Sequence, residues 1–229
     1  MIAIPKPAST IVLMDNESRI YLTKRPKTMK FMGGFYVFPG GGMDEADQLV
    51  NEKYVKDESK DDSLTTGHYI AAARELFEEV GILLGNKENG TSLLLPKKKE
   101  LLYRNQLLNR EITFGEILER EELFFNVNCL SYIGQLVTPS ESPIRFDTRF
   151  FLAMLPHGQQ PHPDRSEIDD AFWITPEEAL LLFENKKIKL SAPTILTLEA
   201  VIKNKNGQAF NLSDSEIDLL KIRRNITEF

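Results

Sequence analysis

Residues Ala71 to Leu84 read AAARELFEEVGILL, and this run decides the fold. Taken back to His68, the apolar residues Tyr69, Ala72, Ala73, Leu76, Phe77, Val80 and Leu84 recur at helical spacing and gather on one broad face. Gly81 is the expected stop. At about 100° per residue, Glu75, Glu78 and Glu79 fall within roughly 100° of one another, opposite the apolar face. Glu75 and Glu79 are like charges at i and i+4, and the last two acids approach the helix C-terminus, where the macrodipole disfavours anions. A divalent cation such as Mg²⁺ or Mn²⁺ would relieve both penalties, since it takes a few carboxylates together with water and phosphate oxygens. Taken alone, an acidic cluster of this kind reads more plainly as a solvated helix face. The segment upstream changes the balance: in FPGGG, Phe38 to Gly42, an aromatic β-run ends in a Gly-rich turn whose backbone can approach a ligand or metal closely.

Working outward, Ser9 to Met14 and Arg19 to Thr23 are short β-runs around the turn Asp15-Asn16-Glu17, which predicts a hairpin. Phe35 to Phe38 is a third strand, expected to stop at the glycines. Residues Glu45 to Thr66 are almost entirely polar and read as a surface insertion, not as core. Pro96 to Leu108 and Thr113 to Phe124 are predicted helices. Leu130 to Val137, Arg145 to Leu155 and Ile168 to Thr175 are predicted strands. Pro176-Glu177-Glu178 opens a helix to about Asn185, with Pro and acids suited to a first turn. Pro193 to Asn204 and Ser213 to Asn225 close the chain as helices. The mixture implies an α+β fold, a mixed sheet covered by helices. One domain spans 1–229, with an insertion at 45–66 and a C-terminal helical extension at 186–229.

With 229 residues and 41% hydrophobic content, the chain can build a substantial core. A net charge of −6 argues against broad attraction to nucleic acid or anionic lipid. The single cysteine, Cys129, excludes an intramolecular disulfide and a Cys-rich zinc site. The apolar run Thr10 to Met14 is too short for a membrane span or a signal segment. A cytoplasmic location, no membrane and no nucleic-acid partner are therefore expected.

The run from Arg74 to Ile82, REL-F-EE-V-GI, matches in full the second half of the Nudix hydrolase signature G-x5-E-x7-R-E-U-x-E-E-x-G-U, where U is a bulky aliphatic residue. In the first half, Gly41 is followed at the right distance by Asp47 where the pattern has Glu. Between Asp47 and Arg74 lie 26 residues instead of seven, an insertion of 19. The position of that insertion resembles the coenzyme A diphosphatase branch of the family. A second similarity is the pattern before FPGG: Leu22-Thr23-Lys24-Arg25, Pro26, Lys30, Gly34 and Phe38 to Gly41 stand at that branch's spacings, with Pro and Lys substituted at two of them.

The resemblance implies a Nudix fold, an α/β/α sandwich with extra helices. It also implies metal-dependent hydrolysis of a diphosphate linked to a nucleoside, most simply coenzyme A or acyl-coenzyme A. ADP-ribose or NADH is the alternative substrate, and a non-catalytic nucleotide sensor the alternative role. Glu75, Glu78, Glu79 and the Gly41 carbonyl would hold Mg²⁺ or Mn²⁺, with Arg74 fixing a glutamate rotamer. Either Glu75 or Glu167 would serve as general base. Arg25 and Lys30 would meet substrate phosphates or else remain solvated loop charges. Alternation places Arg145, Asp147 and Arg149 on one face of their strand and Phe146, Thr148 and Phe150 on the other. The polar face is read either as a substrate-binding cleft lining or as a structural ladder. His68, His157 and His162 lack ligand spacing and read as ordinary surface or loop residues. The expected partners are a nucleotide or coenzyme A substrate and a second copy in a homodimer.

Overall fold

The computed structural model describes residues 3–30, 32–56 and 64–212. Its strands are β1 (Lys6–Met14), β2 (Ile20–Lys24), β3 (Tyr36–Val37), β4 (Gly40–Gly42), β5 (Val55–Lys56), β6 (Phe125–Asn126), β7 (Leu130–Val137), β8 (Phe146–Met154) and β9 (Asp170–Ile174). The helices are α1 (Thr66–Val80), α2 (Lys97–Leu108), α3 (Phe114–Arg120), α4 (Pro176–Glu184) and α5 (Ala192–Lys205). A mixed sheet runs β3-β2-β1-β8-β7, with β4 also on β1 and β9 also on β2. Within it β1 and β8 pair in parallel, in register from Lys6↔Phe146 to Met14↔Met154, whereas the sheet's other strand pairs among the described residues are antiparallel. The expected α+β class and mixed sheet hold.

The apolar run in β1 does not alternate with polar residues because both faces of the strand are covered. Ile11 and Leu13 point into a core shared with α1, α2 and α3, where Phe77 and Phe151 are fully buried. Val12 and Met14 point into a second core under α4 and α5, with Phe150, Ile195 and Leu198. Burying each large side chain of this kind stabilises the fold by about 1.5–3 kcal/mol. These two layers fix the sheet's height against α1, which carries the glutamates.

Two expectations change. The glycines do not simply end a strand in a turn: Gly40–Gly42 form β4, paired antiparallel with β1 through Ala8↔Gly42, Ser9↔Gly41 and Thr10↔Gly40. The ladder is held because Pro39 O accepts from Ile11 N (2.9 Å) and Met43 N donates to Pro7 O (2.9 Å). The polar stretch after it is anchored at both ends. Val50, Tyr54, Val55 and Leu64 pack against the α1 core, β5 pairs in parallel with β6, and Asn51 Nδ2 donates to Glu119 (2.9 Å). Its few apolar residues, too sparse to mark a core segment, are the ones that make these contacts. Residues 57–63 and the predicted helix Ser213 to Asn225 lie outside the described residues.

Candidate active site

Helix α1 starts at a capping box in which Thr65 and His68 exchange bonds, and ends at Gly81 in the left-handed conformation (φ 74°). Between these ends it is enclosed on nearly every side, by β1 and β4, by α2, and by a 3₁₀ turn at Glu45–Gln48. The polar face is therefore largely covered, against the alternative of a solvated acidic face: Arg74 and Glu78 are buried, and Glu75 and Glu79 keep only part of their surface open. His68, expected at the surface, is buried in the first turn, and burial together with nearby Arg149 lowers its pKa.

Arg74 organises this site. Its Nε donates to Asp47 Oδ1 (2.9 Å) and its Nη2 to Asp47 Oδ2 (3.0 Å), a bidentate pair. Nη2 also reaches Gly42 O (2.7 Å), and Nη1 reaches Glu75 (2.8 Å) and Glu78 (3.0 Å). Burial opposes the charged guanidinium, yet Asp47, Glu75 and Glu78 outweigh it and raise its pKa. The substituted position Asp47 thus does reach Arg74, across 27 residues of sequence.

The three glutamates share one electrostatic environment. Burial pushes Glu75 up to about 7, against the pull of Arg74 and with Glu78 and Asp47 adding to the rise. Glu78 is raised for the same reasons, with Glu167 contributing. Glu79 is raised well above the carboxylate range by burial, Glu75 and Glu167, while Arg25 and a hydrogen bond from the Gly40 backbone work the other way. A Cβ at Gly41 would lie 2.5 Å from Glu75 Oε1, so a side chain there would displace this carboxylate from its place against β4. Among the described residues no three acidic, His or Cys side chains stand together as a ready ligand set, and Arg74 pairs with both Glu75 and Glu78. The donors nevertheless fit a divalent cation: they are hard oxygens whose burial and mutual repulsion a cation would offset.

Glu167 lies within reach of Glu78 and Glu79, and burial and Asp164 raise its pKa while Arg25 and Arg104 oppose the rise. The charge of Arg25 thus acts on both Glu79 and Glu167, and its side chain also lines a cleft of about 240 Å³ together with Gly40, Gly41 and Gly42. The remaining walls are mainly apolar, including Val37, Phe38, Leu136, Phe146 and Phe150. Alternation along β8 had separated the faces correctly, but the Phe146, Thr148 and Phe150 face lines the cleft. Of the two readings of the opposite face, cleft lining or structural ladder, Arg145 and Arg149 fit the structural one. Arg145 donates to Thr138 O and Ala3 O (both 2.8 Å), holding the chain near its start. Arg149 pairs with Asp147. Lys30 is exposed on the loop between β2 and β3 and is not part of the cleft wall.

Sequence reasoning missed Arg104, whose side chain seals the end of α1. It sits 26 residues beyond Glu78, on a helix with no local motif, so only the fold reveals it.

A family model described as the NUDT19 Nudix domain matches residues 52–201, about two thirds of the chain. An acyl-coenzyme A diphosphatase NUDT19 from Xenopus laevis is 28% identical over 225 residues, covering 80% of this chain and 59% of the relative. The Homo sapiens protein of that name is 26% identical over 217 residues, covering 76% and 58%. The chain thus spans just under three fifths of the length of these curated relatives. A crystal structure of a Nudix hydrolase from Alicyclobacillus acidocaldarius superposes with a TM-score of 0.74 at 29% identity, covering 89% of this chain and 93% of that one. Among the described residues no helix is long and apolar enough to cross a membrane. Fold, signature helix and family match agree: this chain belongs to the Nudix hydrolase family, in the group defined by the NUDT19 Nudix domain.

Proposed function

We propose that the chain is a metal-dependent diphosphohydrolase that cleaves coenzyme A or acyl-coenzyme A to 3′,5′-ADP and a 4′-phosphopantetheine product. One observation carries this reading: Arg25 joins the glutamate cluster to an apolar cleft, so a diphosphate beside Glu79 would have room for an apolar arm next to it. Glu75, Glu78, Glu79 and the Gly41 carbonyl would hold Mg²⁺ or Mn²⁺, which supplies charge neutralisation at the diphosphate oxygens. Arg25 pairs with the diphosphate and orients it. Water attacks one phosphorus, the bridging P–O bond breaks, and the proton of the water passes to Glu167. Glu167 is preferred to Glu75 as the base because Glu75 is committed to Arg74 at 2.8 Å. Its raised pKa brings it towards the range in which a carboxylate is an effective base near neutrality. The cleft holds the pantetheine or acyl arm, and Lys30 meets the 3′-phosphate at the outer edge.

The names of the NUDT19 relatives support this substrate. The test is a panel of coenzyme A, acyl-coenzyme A, 3′-dephospho-coenzyme A, ADP-ribose and NADH with Mg²⁺ or Mn²⁺. The highest kcat/KM is expected on coenzyme A or its acyl form. A higher value on ADP-ribose or NADH would move the assignment to those nucleotides, and turnover of none of them would favour a sensor.

A further inference from the structure

The last four carbonyls of an α-helix have no partner within the helix, and buried ones must find partners elsewhere. In α1 each is accounted for. Phe77 O accepts from Gly81 N (2.9 Å) and Val80 O from His162 N (2.7 Å). Glu78 O accepts from Arg104 Nε (2.9 Å), and Glu79 O accepts from both Arg104 Nη2 (3.0 Å) and Asp164 N (2.8 Å). Arg104 then turns its Nη1 to His162 O (2.8 Å), in the loop that carries Glu167. It is 3% exposed and pairs with Glu100 (3.1 Å), which also faces His162 Nδ1 (3.3 Å). From His162 the loop continues through Asp164, whose carbonyl accepts from Glu167 N (3.1 Å) and Ile168 N (2.8 Å). One guanidinium therefore binds both the glutamate helix and the loop of Glu167.

We propose that Arg104 is a positioning residue: it fastens the loop 162–168 to the last turn of α1 and so sets where Glu167 stands against Glu78 and Glu79. This rests on the reading in which Glu167 receives the proton of the attacking water. A planar fork is needed, because three carbonyls on two segments are reached at once, and lysine offers only a single ammonium. The positive charge also opposes the negative end of the helix dipole.

Arg104→Gln and Arg104→Lys, each alone and with Glu167→Gln, are compared by hydrogen exchange and by steady-state kinetics. In Arg104→Gln the amides of His162, Asp164 and Glu167 should exchange at least about tenfold faster, with those of Ile70 to Arg74 unchanged. Its kcat should fall about thirtyfold with KM within about threefold, and Arg104→Lys should recover part of that loss. In the Glu167→Gln background the same change should cost less than about threefold, because the residue being positioned is already gone. Unaltered exchange across 162–168, or full additivity with Glu167→Gln, would overturn the proposal. Arg104→Lys supplies the same comparison should Arg104→Gln fail to fold. Failure of the functional reading shows differently, as a wild-type protein that turns over no diphosphate on the panel.

Discussion

Replacing Asp47 by Ala removes the acid that Arg74 grips with two of its five N–H groups. Both side chains are almost fully enclosed, 8% and 2% exposed, so water cannot take the place of the lost oxygens. Breaking a buried ion pair costs about 3–5 kcal/mol. Arg74 keeps Glu75, Glu78 and Gly42 O, which leaves its charge compensated and puts the loss near the lower end, at about 3 kcal/mol. For a chain of this size that lowers Tm by about 6–12 °C. Thermal melts in EDTA, followed by circular dichroism, read it directly. The freed fork should also lean on Glu75 and Glu78 and compete with a cation, so calorimetry should find Mn²⁺ bound several-fold more weakly. A melting temperature within about 2 °C of the parent would refute the claim that the segment after β4 anchors the glutamate helix.

Glu78→Gln should remove most of the activity and leave stability without metal unchanged or higher, since burial already disfavours this charge; a large drop in Tm would mean that its pairing with Arg74 outweighs that penalty. Arg25→Ala should lower kcat/KM on coenzyme A and on its 3′-dephospho form alike. Lys30→Ala should narrow only the preference between the two, by up to about fivefold because the contact is solvent-exposed; equal handling of both compounds by the wild type would remove the 3′-phosphate from the account. The folded-state pKa of Glu75, at about 7, lies above its ordinary value, so the folded protein binds the proton more tightly than the unfolded chain and stability falls as pH rises towards 7. Without metal, Tm should therefore be higher at pH 6 than at pH 8, and saturating Mg²⁺ should close that gap; the opposite order would contradict the burial of this carboxylate.

The glutamate helix and its end at Gly81 were legible because helical spacing and a left-handed glycine are local properties of the chain. Strands β1 to β3 and β7 to β9 and the helices α2 to α5 followed from equally local patterns, although α3 ends at Arg120, short of the expected Phe124, and the two-residue strands β5 and β6 were not foreseen. What stayed hidden depends on neighbours distant in sequence. The glycines of β4 have poor strand propensity, and they form a strand because β1 offers a ladder and its backbone at Ser9 and Thr10 leaves no room for a side chain at Gly40. Composition marked Glu45 to Thr66 as surface, yet a single buried Asp47 and four half-buried apolar residues suffice to hold its ends, so replacing the whole stretch should destabilise the fold. On β8, alternation defined two faces but not which one a cleft would open on. Arg104 carried no signal at all, since its partners are backbone carbonyls, which any residue supplies.

The central claim is tested most directly by mixing the protein with coenzyme A and Mg²⁺ or Mn²⁺ and following the products by chromatography. The account predicts 3′,5′-ADP and 4′-phosphopantetheine in equal amounts, formed with metal and abolished by excess EDTA. Undiminished cleavage in EDTA, or an intact diphosphate after long incubation with either metal, would contradict it.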